Sequence, residues 1–262
     1  MATDMTKGSI IPQITRFTIP LVLGNLFQLT YNAADSVIVG KFVGDDALAA
    51  VGTAGPIMNM VILFITGMCM GAGILMSTHY GAKDYGLLER QISTSMLGGL
   101  GFSAVISVFL IVFAHPLLEL LQVPENIIGD AKGYLRIIFL GLIFTFIYNF
   151  FSNTLRALGD SKTPLYAMII AACINIGLDL LFVMVFHWGI PGAAIATVIA
   201  QAFSFLFCFV VLRKIEVLKI SRQDMKLEKG VVVRLLTLGM PLMFQNVIIS
   251  VGGMVVQTVI NG

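Results

Sequence analysis

The chain has 262 residues, 58% hydrophobic and only 11% charged, with a net charge of +2. Soluble domains carry roughly 25% charged residues, so this composition cannot cover a globule with polar surface; the mean hydropathy of +0.95 makes lipid the solvent for much of it. So small a charge, with no basic patch interleaved with aromatics, gives nucleic acid no foothold.

A helix needs roughly 20 mostly apolar residues to cross the hydrocarbon core. Six runs satisfy this, at 17–43, 54–80, 94–114, 133–155, 165–187 and 190–212, and a seventh begins near Leu235. They must be helices, because isolated strands would leave backbone groups unpaired in lipid. The N-terminus has no short apolar core followed by a small-residue cleavage site, so the first run is expected to stay in the membrane. Segment 115–132, with PLLELLQVPEN, reads as a short amphipathic piece lying at the interface. Cys69, Cys173 and Cys208 sit apart in apolar runs without a CxxC pair, and read as buried small hydrophobes.

Loop basicity orients the spans. Of the sixteen Lys and Arg, only Lys41, Lys132 and Arg136 fall on the outer side if the N-terminus is cytoplasmic; this positive-inside bias implies a multi-pass protein of the cell membrane with its N-terminus inside. The longest polar segment, 213–234, then reads as a cytoplasmic linker. After it the pattern of the first span restarts: Pro20-Leu21 and Asn25 recur as Pro241-Leu242 and Asn246 at one common offset. Residues 1–212 are therefore expected to form a six-helix lobe, 213–234 an interlobe linker and 235–262 the start of a second lobe, as in two-lobed transporters.

Of fourteen acidic residues, only Asp35 and Asp179 sit inside membrane runs. An ionised carboxylate at the bilayer centre costs ~2.5–3.5 kcal/mol on insertion scales, and intramembrane acids are functional candidates by default. The alternative for Asp35 is access to water at the outer end of its span. On the first span Asn25, Gln28, Asn32 and Asp35 fall within an arc of roughly 80°, one polar stripe on an apolar rod. Asn175 and Asp179 are i and i+4 on one face. Asn149 and Asn153 share that spacing on the fourth span, and Thr197 and Gln201 on the sixth; for these amides the alternative is hydrogen bonding between helices. Two carboxylates with amide and hydroxyl oxygens are hard ligands for H+ or Na+, and burial and like charge both favour protonation of such a pair in general.

Pro20 removes a backbone hydrogen bond in the first turns of its helix and is either a hinge or a benign membrane proline. Gly67-x-x-x-Gly71 marks close helix packing. Enzyme chemistry finds little support: His79, His115 and His187 lie at helix ends, and no HExxH, GxSxG, P-loop or dinucleotide fingerprint is present. Residues 159–164, GDSKTP, imitate a phosphate loop superficially and read as a cytoplasmic turn.

Several segments together resemble the MATE (multidrug and toxic compound extrusion) family: ITRFTIPLVLGNLFQLTYNAADSVIVGKFVG, RALGDSKTPLYAMII, NIGLDLLFV and GIPGAAIATVIAQ. The resemblance runs along essentially the whole chain. It implies an all-α integral membrane fold of twelve helices in two six-helix lobes, of which this chain carries the first and the start of the second. It further implies export of amphipathic, often cationic compounds in exchange for H+ or Na+, with no cofactor, by a monomer of both lobes. The cation site it implies maps onto Asp35, Asn175, Asp179 and Thr197, with Asn149, Asn153, Asn32 and Gln28 as a wider network and bending at Pro20. A lipid-linked oligosaccharide flippase of the same fold and, from another class, a membrane-embedded enzyme stand as alternatives; a purely structural membrane protein is a third. The glutamate that one branch carries on the seventh helix has no counterpart after Leu235.

Overall fold

Helices account for nearly all of the computed structural model, which describes residues 9–215 and 227–261; no strand occurs among them. In chain order they are α1 (Ile10–Phe42), α2 (Asp45–Gly81), α3 (Tyr85–Leu120), α4 (Glu125–Leu140), α5 (Leu142–Ala157), α6 (Lys162–Asp179), a π-helical continuation of α6 (Leu180–Val185), α7 (Gly189–Leu212) and α8 (Lys229–Asn261). Among the described residues, six of these spans are long and apolar enough to cross a membrane, and the bent pair α4–α5 makes a seventh. Every expected span is present. Half of the linker expected at 213–234 lies outside the described residues, as do residues 1–8; the seventh helix starts at Lys229, earlier than Leu235.

The helices outrun their apolar windows. At 1.5 Å per residue the 37 residues of α2 reach ~55 Å, well beyond a ~30 Å hydrocarbon core. Hydropathy marks only the lipid-facing middle, and the ends continue as helix where water or caps satisfy the backbone. Asp84 caps α3 by accepting from Leu87 N at 3.1 Å, and Asp45 and Asp46 open α2 with charges suited to its positive N-terminal dipole. Large apolar side chains point outward around the bundle, including Val105, Val108 and Val112 on α3. In water such a surface would aggregate; in lipid it is the solvated face.

The interfacial piece expected at 115–132 is not formed. Residues 115–120 complete α3 through Pro116, residues 121–124 turn, and α4 begins at Glu125. Leu118, Val123 and Ile127 are buried in the bundle, so packing among the helices replaces a lipid interface for these side chains. Cys69 and Cys208 are buried as expected, but Cys173 is exposed on α6, where lipid serves a small apolar thiol as well as a core does.

A glycine shapes the centre. The fourth span bends by 47° between α4 and α5, at Gly141. A Cβ there would collide with the Val198 side chain, so α7 packs against the bend only because the side chain is missing. The carbonyl of Phe139, beside the break, accepts from Ser107 Oγ at 2.5 Å. A side chain from α3 thus meets the need of a backbone group at the bend.

Around this bend α7 packs on α4, α5 and α6, α1 packs on α6, and α2 packs on α5 and α8. The expected close packing at Gly67 and Gly71 is found between α2 and α8. Added Cβ atoms would lie 2.7 Å from Met243 Cα and 2.7 Å from Gly239 Cα, so backbone meets backbone. Asn246 Nδ2 also donates to the Leu63 carbonyl at 3.4 Å. α1 and α8 are both 33 residues long with a proline in the first half, Pro20 and Pro241.

Candidate cation and substrate site

Short turns join α5 to α6 (158–161) and the α6 continuation to α7 (186–188), so successive membrane spans alternate in direction. α1 and α6 therefore run parallel, and α5 and α7 run against them. This sets depth. Asp35, late in α1, Asp179, at the end of α6, and Thr197, in the first half of α7, share one end of the bundle.

There the carboxyl groups of Asp35 and Asp179 lie within hydrogen-bonding reach of each other. Asp179 is fully buried and Asn175 nearly so, while Asp35 is half-buried. No N–H or O–H donor reaches Asp35 Oδ1, Asp179 Oδ1 or Asp179 Oδ2 among the described residues. One turn deeper, Asn175 Nδ2 donates to Thr197 Oγ1 at 3.5 Å, a long bond, and Asn175 Oδ1 is left without a partner. Thr197 Oγ1 donates its own hydrogen to the Ala193 carbonyl at 3.1 Å. The result is a cluster of oxygen acceptors with hardly any donors, which is the complement of a proton or a small cation.

A cavity of about 260 Å³ begins at this cluster and extends between α1, α2, α5, α6 and α7. Asn25, Gln28 and Asn32 line it from α1, as the stripe on that helix implied, with Asn149 from α5, Asn175 from α6 and Thr197 and Gln201 from α7. Asp35 and Asp179 are not among the residues that line it; they follow the lining residues Asn32 and Asn175 by one helical turn. Asn153 does not line it: its amide donates to the Asn149 carbonyl at 2.9 Å and its Cβ packs toward Gly73, so here the helix-packing alternative describes the geometry. Asn149 faces the cavity while donating to the Thr145 carbonyl. Pro20 is buried within a helix that continues through it.

Four features had escaped the sequence reading. Tyr31 and Tyr134 lie close to both carboxylates, yet a tyrosine in an apolar run carries no polar signal. The π-helical turn starts directly after Asp179; such turns are rare and cluster at functional sites. It leads into stacked Phe182 and Trp188, with ring centroids 4.9 Å apart. Arg156, counted above with the loops, lines the cavity. The turn at 159–164 is a cap and not an anion site: Asp160 accepts from Lys162 N, Thr163 N and Thr163 Oγ1 at 3.1, 3.0 and 2.7 Å, taking the donors a phosphate would need.

Comparison with known proteins identifies the lineage. The MatE family model matches residues 20–181, a stretch that contains Asp35, Asn175 and Asp179. The chain belongs to the MatE family. This is a family of transporters, not of enzymes. The MatE chain is 34% identical over 262 residues to the probable multidrug resistance protein YpnP of Bacillus subtilis, covering 99% of itself and 58% of that protein. It is 24% identical to the multidrug export protein MepA of Staphylococcus saprophyticus, covering 98% of itself and 57% of MepA. It thus spans little more than half the length of these relatives. In fold it is similar to an outward-facing multidrug resistance MATE transporter (TM-score 0.83, 24% identity, 90% of this chain and 52% of that one). A MATE bound to MaD5 matches with the same TM-score of 0.83 over 91% of this chain and 55% of that one, at 25% identity.

Proposed function

We propose that this MatE chain is the N-terminal lobe of a multidrug antiporter that exports amphipathic, often cationic compounds in exchange for H+ or Na+. The observation that carries the reading is the pairing of Asp35 and Asp179, 144 residues apart in sequence, one helical turn beyond a cavity, with three of their oxygens lacking a donor among the described residues. Left charged and empty, such a pair repels itself in a poorly screened medium. A proton held between the carboxyls, or a Na+ shared with Asn175 Oδ1 and Thr197, relieves that repulsion. Ion loading therefore changes the energy of the α1–α6–α7 contact, and this couples a gradient to a conformational bias.

The substrate is held by the cavity wall and by a second lobe of the complete protein, toward which the relatives' greater length points. The two lobes rock about a central cavity, with the N-terminus cytoplasmic as the loop charges favour and Pro20 as a hinge in α1. Both lobes together make a monomeric transporter in the cell membrane.

The test is dye efflux from proteoliposomes of the complete transporter with H+ and Na+ gradients imposed separately. Export driven by one gradient and abolished when it is dissipated supports the reading; export indifferent to both gradients removes it.

A further inference from the structure

The end of the cavity away from the carboxylates is cationic. On α5, Tyr148, Ser152 and Arg156 follow one another at intervals of four residues and all line the cavity. Eleven residues of helix separate Thr145 from Arg156, a drop of ~16 Å along the cavity wall. α7 runs parallel to α5, with Phe205 and Phe209 stacked on Phe144 and Phe151, so Gln201 lies near the level of Thr145, and Cys208 lies beside Ser152 and Arg156.

Arg156 has no carboxylate partner among the described residues: its Nε is sealed from solvent and bonded to nothing, and its electrostatic neighbours are the Tyr148 phenol and the Cys208 thiol, groups uncharged at neutral pH. The nearest acid along the chain, Asp160, caps α6. Ser152 Oγ lies near Tyr148 and Cys208 but makes no bond of good geometry, and Gln201 Oε1 is likewise unpaired. Ser204, by contrast, has committed its hydroxyl to the Ala200 carbonyl. A half-buried guanidinium without a counter-ion is costly unless a ligand supplies one, and its planar fork suits an oxyanion.

We infer that Arg156, with Ser152, forms an oxyanion-binding subsite at the end of the lobe cavity opposite the carboxylates, taking the carboxylate of an amphiphilic, zwitterionic substrate. This rests on the cavity being the substrate path proposed above. Ser152 donates its hydroxyl to the anion, while the Tyr148 ring supports the apolar body. The substrate range then extends past cations to molecules that carry an acid group.

Rhodamine 6G and rhodamine 19 test it, because they differ mainly in having an ethyl ester or the free acid at one position. Equilibrium binding of each is measured by fluorescence anisotropy on the complete transporter in phosphatidylcholine nanodiscs, without a gradient. Arg156→Gln should weaken rhodamine 19 about tenfold more than rhodamine 6G, the scale of one charge-assisted hydrogen bond. Arg156→Lys should retain part of that preference, and Ser152→Ala should show a smaller selective loss in a protein with its charges intact. Equal effects on the two dyes in all three variants would overturn the subsite, leaving Arg156 as a residue that reaches cytoplasmic water. Displacement of rhodamine 19 by inorganic phosphate or by added phosphatidylglycerol would reassign the site to a free anion or a lipid headgroup and overturn the substrate assignment. Wild type that binds the ester but not the acid overturns the subsite and spares the multidrug reading; wild type that binds neither dye overturns both.

Discussion

Asn175 on α6 donates its amide to the hydroxyl of Thr197 on α7 at 3.5 Å, one turn below the Asp35–Asp179 pair. That bond ties two walls of the cavity together and leaves Asn175 Oδ1 pointing to no donor. Thr197→Val keeps the shape and removes the hydroxyl oxygen. The loss of one liganding oxygen, about 1 kcal/mol, predicts a rise of about fivefold in the ion concentration for half-maximal efflux, and the unpaired Asn175 amide should lower thermal stability by about 1 kcal/mol. An ion titration of dye efflux checks it.

Gly67 and Gly71 let α2 touch the backbone of α8. Gly71→Leu must push α8 away, since its Cβ would lie only 2.7 Å from the Gly239 Cα. Cysteines introduced at Met68 and Gly239, in a background lacking the native ones, should crosslink readily in membranes, and adding Gly67→Leu should reduce the yield severalfold. Crosslinking unaffected by Gly67→Leu would remove the contact.

Gly99 faces the ring of Phe146, and a Cβ added there would overlap the ring. Phe146 is held between α3 and the rest of the core and cannot swing aside freely. Gly99→Val should cost about 1–3 kcal/mol by overpacking, read as a lower melting temperature in detergent, and Phe146→Leu in the same chain should recover part of it.

Asp160→Ala should destabilise by about 1–2 kcal/mol through loss of the α6 cap, and Asp160→Asn by less, because an amide oxygen still accepts from Lys162 and Thr163. Differential scanning fluorimetry separates the two.

The spans were legible because lipid imposes one rule on every crossing segment: an apolar run long enough to satisfy its own backbone. The stripe of Asn25, Gln28 and Asn32 and the Asn175–Asp179 face were legible for the same reason, since a polar group in such a run stands out. What periodicity cannot carry is the partner. That Asp35 meets Asp179 depends on α1 packing along α6, where Gly24 admits Met168. The bend at Gly141 gives no proline to read, and its cause lies on α7, at Val198. Segment 115–132 misled in the other direction: its amphipathic pattern suits an interface, but Leu118 is buried in the bundle and α3 stays helical past Pro116. Arg156 was hidden by its place next to a loop, because its role as a wall residue follows from the side to which α5 turns after the bend.

The central claim is that the coupling ion is held between the carboxyls of Asp35 and Asp179. The most direct measurement is gradient-driven dye efflux by the complete transporter in proteoliposomes, compared for wild type, Asp35→Asn and Asp179→Asn at matched protein insertion. The account predicts that each variant still binds dye and lets it equilibrate but no longer concentrates it against its gradient. Uphill export at wild-type rates in both variants would contradict it.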